Sequence, residues 1–148
     1  NQPLPWTDDQ LYTWFVNTVE GIRFRSDIAY SYCCDPENMI NIQTDLVVND
    51  TNKWIDPKLT TGANGLLGLF VHEARHNEFG GHTCGTNDNT RAEMGAWGVQ
   101  YYLDIYLAND LKDPSFLTIP EPSLATYYSQ VAADDADTLL RSSFCQDH

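Results

Sequence analysis

The sequence predicts a mainly α-helical α+β fold, in which four helices pack with a small extended region near the middle of the chain. Three observations carry this. Apolar residues recur every three or four positions in the stretches near Leu11, Thr90 and Ser123, the period at which one face of a helix turns to a core. The apolar run Leu66-Leu67-Gly68-Leu69-Phe70-Val71 continues into a polar stretch that stops only at Gly80-Gly81. Strand character is confined to Met39–Ile42 and Leu46–Val48. No internal repeat, low-complexity tract or linker interrupts the 148 residues, so 1–148 reads as a single domain.

Each element has its own signals. Thr7 stands three residues before Gln10, a capping-box pattern, and Trp6 is placed to staple onto Leu11. Leu11, Trp14, Phe15 and Val19 then form one helical face, and Gly21 closes the helix. From Ile22 to Leu59 the pattern is weaker, with the two short strands and turns at Asp35-Pro36 and Asn49-Asp50. A second helix is expected from about Gly62 to Glu78. A third starts near Thr90, where Thr90 and Glu93 make another capping box, and runs to about Ala108 with Met94, Trp97, Tyr101 and Ile105 on one face. Asp113-Pro114 and Pro120-Glu121-Pro122 mark the next connection. The fourth helix follows Ser123 through Leu124, Tyr128, Val131, Leu139 and Phe144.

Composition removes several function classes. Twenty-one acids against eight bases give a net charge of −13. Such a surface repels phosphate, so nucleic acid is excluded as a partner, and so is electrostatic docking on anionic lipid. The longest apolar stretch, Leu66–Ala74, contains Gly68, His72 and Glu73 and falls well short of the ~20 residues that span a bilayer. The four cysteines, Cys33, Cys34, Cys84 and Cys145, are even in number and contain no C-x-x-C pair. They read as two disulfides in an exported protein, and a start at Asn1 without Met is expected after removal of a leader or after trimming of the chain. A bridge between adjacent cysteines is strained, so Cys33 and Cys34 are each expected to pair with one of Cys84 and Cys145. Asn49-Asp50-Thr51 is a glycosylation acceptor pattern that acquires meaning only in a eukaryotic source.

Three of the four histidines fall within His72–His82, and His72-Glu73-Ala74-Arg75-His76 reads H-E-x-x-H. On a helix, residues i and i+4 share a face, so two imidazoles can reach one metal ion. Glu73 is rotated about 100° from His72, where it can hold a metal-bound water and take its proton. Two imidazoles, one further ligand and an open position suit catalytic zinc. A helix with apolar preceding turns and this pair at its end resembles the active-site helix of zincin metallopeptidases. One position departs from that pattern: zincins usually carry an uncharged residue at the place of Arg75, and the charge must meet solvent or an acid.

The third ligand has three candidates. His82 lies six residues after His76, the spacing of the long metzincin motif H-E-x-x-H-x-x-G-x-x-H. The glycine position of that motif is occupied by Phe79, and Gly80-Gly81 follow it. Met94 could serve as the methionine of a Met-turn, although its expected place is inside the third helix. Asp88 ends Gly85-Thr86-Asn87-Asp88, which resembles the G-T-x-D element of deuterolysin-type aspzincins, where the aspartate is the third ligand. Gly95-Ala96-Trp97-Gly98 loosely echoes a later Y-G of that family. Glu93, on the next helix, would be the gluzincin choice, but its capping-box position already accounts for it. His82 and Asp88 can also act together, the carboxylate holding the other ring nitrogen of a ligand imidazole.

A disulfide at Cys84 would pin the loop that carries the third ligand; cysteine ligation of zinc is its competing role. Tyr101, Tyr102, Tyr127 and Tyr128 are candidate oxyanion donors, each explained as well by packing. Asp134, Asp135 and Asp137 lack the spacing of an EF-hand loop and read as a solvated face. The resemblance implies a secreted zinc metallopeptidase acting on a protein or peptide substrate. Zn2+ would be held by His72, His76 and either His82 or Asp88, with Glu73 as general base. Two other readings stand beside it: an exported binding or structural domain that keeps such a helix without hydrolysis, and a zinc amidase acting on a non-peptide substrate.

Overall fold

A computed structural model describes residues 4–44, 65–110 and 122–147. The expectations at Leu46–Val48, Asn49-Asp50-Thr51, Gly62, Asp113-Pro114 and Pro120 lie outside the described residues. The fold is mainly α with a small parallel sheet, in the order α1 (Leu11–Thr18), β1 (Gly21–Arg25), β2 (Met39–Gln43), α2 (Gly65–Phe79), a 3-10 turn (Arg91–Glu93), α3 (Ala96–Asp110) and α4 (Pro122–Ser142).

Helix α1 starts later than its capping box implies. Gln10 is the N-cap and supplies no side-chain bond. The Thr7 hydroxyl accepts the Asp9 N–H at 3.2 Å, making a local turn instead. Trp6 packs edge-on against Trp14, with ring centroids 5.5 Å apart. Gly21, expected to close the helix, opens β1. That strand has no fully buried residue, and its apolar alternation is limited to Ile22 and Phe24, each followed by an arginine. Strand β2 pairs with it in parallel, from Gly21↔Met39 to Arg25↔Gln43. Asn41 exchanges both backbone bonds with Tyr32, at 2.9 and 3.0 Å. Adjacent residues of a strand bond to opposite sides, so the segment around Tyr32 lies along the edge of β2 away from β1.

The main core joins α1, β2, α2 and α3 through Trp14, Ile40, Ile42, Leu66, Val71 and Leu103, among others. A second cluster, Tyr101, Ala136, Leu139 and Phe144, joins α3 to α4. Helix α3 therefore lies between two packed surfaces and does not present the single apolar face expected of it. Its start also differs. Arg91–Glu93 is a separate 3-10 turn, Met94 follows at φ +54°, and the α-helix begins at Ala96. Met94 thus sits in a turn, not within a helix.

The cysteines do not pair as expected. Cys84 bonds to Cys145, with Cα atoms 6.5 Å apart, and Cys33 to Cys34. The cause is the company each keeps. The backbone of 84–89 is laced to 143–146: Asp88 N–H bonds to the Ser143 carbonyl, Cys145 N–H to that of Asp88 and Gln146 N–H to that of Asn89, at 2.9–3.1 Å. Cys33 lies elsewhere, beside Glu73. Joining residues 61 apart in sequence removes denatured-chain entropy worth about 4 kcal/mol in the loop-closure picture. Among the described residues, no helix is long and apolar enough to cross a membrane.

Candidate metal centre

Helix α2 ends at Phe79, and Gly80 takes φ +82°, a left-handed conformation natural to glycine. The chain then turns back and places His82 against His72 and His76. The turn sits one residue later than in the motif the spacing resembles, yet the ligands still converge. One ring nitrogen from each histidine lies within 4.8 Å of the others. A tetrahedral ion with metal–nitrogen bonds of about 2.0–2.1 Å needs separations of about 3.4 Å, so ring movements on the order of 1 Å close the site. The three imidazoles fit a metal ion.

Their tautomers are set by partners. His76 Nδ1 bonds to the Gly80 carbonyl at 2.5 Å, and His82 Nδ1 to Asp88 Oδ1 at 2.9 Å. With each Nδ1–H donating, Nε2 is left as the ligand atom on both. His72 is 5% exposed, and its Nδ1 has no partner within hydrogen-bond geometry. Gln100 of α3 lies beside it and interacts with the ring. Burial, then the neighbouring His76 and His82, hold His72 well below the ordinary histidine pKa, while Gln100 opposes the shift. His76 is lowered too, chiefly by burial. Both rings are therefore neutral at pH 7, the form that binds a metal.

Asp88 and Glu93 do not join the histidine cluster. Asp88 is fully buried and divides its carboxylate between two tasks. Oδ1 takes the His82 Nδ1–H, while Oδ2 accepts the N–H groups of Trp97 and Gly98 at 2.9 and 3.2 Å. It thus caps α3 and orients His82 at once. Glu93 Oε2 accepts the Thr83 hydroxyl at 2.6 Å. The capping box of Thr90 and Glu93 is absent because its acid is used there and Asp88 supplies the cap. Cys84 is disulfide-bonded and is not a ligand.

Gly95 makes room for the Asp88 carboxylate. A Cβ there would stand 2.5 Å from Oδ2, and the carboxylate is fixed by its own bonds. Gly95→Ala is expected to destabilise the fold by roughly 1–3 kcal/mol, measured by urea unfolding. An unchanged midpoint would show that Asp88 yields easily.

Glu73 is 6% exposed and faces the same cleft. Burial raises its carboxyl pKa to about 7, against a hydrogen bond from the Cys33 backbone that lowers it. The cleft encloses about 890 Å³. Helix α2 forms one wall, and residues 29–33 form another, with Tyr30 and Tyr32 among them. Trp97 contributes to the lining as well as to packing. Its ring lies 4.2 Å from His72, edge-on, and 5.7 Å from His82, stacked. Of the tyrosines considered from sequence, Tyr101 is buried against Phe144 and Tyr102, and Tyr127 packs on Tyr128. None of these four lines the cleft. Sequence reasoning missed the 29–33 wall and Gln100. The wall has no periodicity, and its only signal is two tyrosines flanking Ser31. Gln100 stands among apolar residues of a helix, where an amide at a core position is the one clue. Comparison with protein families, curated proteins and solved structures gives no match to this chain.

Proposed function

We propose that the chain is a secreted, zinc-dependent metallopeptidase with Glu73 as general base. The observation that carries this reading is the convergence of His72, His76 and His82 beside a buried carboxyl on one cleft wall. A purely structural three-histidine site has no use for a base next to its ligands. Three nitrogen ligands that leave a position open to a cleft suit zinc in its catalytic form. When bound, zinc polarises a carbonyl and lowers the pKa of its water to about 7.

The residues divide the remaining work. His72, His76 and His82 would hold the metal through ring nitrogens, with the Nδ1 of His76 and of His82 each engaged by an oxygen acceptor. Glu73, held by the Cys33 N–H, takes the proton of the attacking water and delivers it to the leaving amine. Trp97 shields the histidines from bulk water on one side. Tyr30 and Tyr32 offer aromatic and hydroxyl surface to a peptide in the cleft. Export agrees with two disulfides.

Elemental mass spectrometry of the undenatured protein is expected to find about one zinc per chain. Hydrolysis of an unstructured peptide should stop on chelation and return with added zinc. A protein that neither carries nor takes up zinc would overturn the proposal. One that binds zinc and cleaves no peptide would point to the binding-domain reading.

A further inference from the structure

Arg75 is the residue that departs from the zincin pattern, and the structure gives it specific partners. Its side chain is 14% exposed. The Nε–H donates to the Met94 carbonyl at 2.8 Å, and Nη1 donates to Glu78 Oε2 at 2.6 Å. Glu78 is itself anchored to α1 by the Trp14 Nε1–H at 2.9 Å. The guanidinium also lies over the Phe79 ring, 5.4 Å from its centroid. The planar fork is thus fixed on three sides and holds one carbonyl outside its own helix.

That carbonyl belongs to a sensitive place. Met94 has φ +54°, a conformation a methionine keeps only when its surroundings hold it. The next residue is Gly95, against which the Asp88 carboxylate packs. Asp88 in turn fixes His82. We infer that Arg75 is a positioning residue for the third metal ligand: it clamps the Met94–Gly95 turn, the turn seats Asp88, and Asp88 orients His82. The inference rests on the metal-binding reading of the site. It needs no assumption about substrate, because the chain of contacts ends at His82.

The test uses Co2+ as probe, with affinity from chelator competition and geometry from the visible absorption spectrum. Arg75→Met keeps the aliphatic stem and removes the donors. It should weaken Co2+ binding about 10-fold and shift the visible bands. Asp88→Asn should act in the same direction. The double variant should lose little more than the worse single one, because both act through His82. Thermal unfolding of the metal-free proteins separates fold from site: a role in folding alone lowers the midpoint and leaves spectrum and affinity unchanged. If Arg75→Met does not fold, Arg75→Lys is judged by the same criteria, since an ammonium keeps the charge and lacks the planar fork that engages both acceptors. Unaltered affinity and spectrum, or effects that multiply in full in the double variant, would overturn the inference. Failure of the unmodified protein to bind Co2+ would instead remove the metal reading beneath it.

Discussion

Glu73→Gln is expected to lower hydrolysis of an unstructured peptide by about 10²–10⁴-fold while zinc content stays unchanged. The range is the usual contribution of a positioned general base. The substitution preserves shape, and an amide oxygen can still accept the Cys33 N–H that now bonds the carboxyl. What it removes is proton affinity. Glu73 is not among the three converging ligands, so the metal should remain. Turnover and elemental content are measured on the same preparation. Full activity in the variant would refute the assigned role, and loss of zinc together with activity would show that Glu73 serves the metal and not the proton.

Asp88→Ala carries the second large effect. Three donors, His82 Nδ1–H and the N–H groups of Trp97 and Gly98, rely on this one carboxylate. Asp88 is fully buried, so water does not readily replace it. An orphaned buried donor costs about 1–3 kcal/mol, and partial relaxation makes a loss of roughly 3–5 kcal/mol the expected result. Metal affinity should fall about 10–100-fold, as when the partner of a ligand imidazole is removed. Urea unfolding of the metal-free protein reads the first effect, and chelator competition reads the second. A variant with native stability and weakened metal would mean that the α3 cap is dispensable.

What the sequence made legible was what lies close together along the chain. The α2 helix and the pairing of His72 with His76 depend on spacing of four, and His82 needs only the turn at Gly80. The features it hid depend on distant partners. The cap of α3 comes from Asp88, eight residues before Ala96 and outside any capping-box spacing. Thr90 and Glu93 matched a box by pattern, but Glu93 was taken by Thr83. Trp97 matched a helical apolar face, yet it stands where α3 meets the histidines. The partner of Cys84 depends on the backbone lacing of 84–89 to 143–146, which no local spacing signals. Strand β1 left only a short trace, Ile22 and Phe24 alternating with arginines, because none of its residues is fully buried.

That lacing has a consequence in time. His82 and Asp88 stand on a loop whose backbone partners, and whose disulfide partner Cys145, are made more than fifty residues later. The histidine pair of α2 can form while the chain is still being synthesised, but its loop is not yet secured. Only when 143–147 emerge does Asp88 gain its backbone neighbours, and Arg91 N–H its Asp147 partner at 2.6 Å. Loops closed across such separations form late. The geometry of the histidine cluster is thus completed only after the last segment of the fold described here has been made.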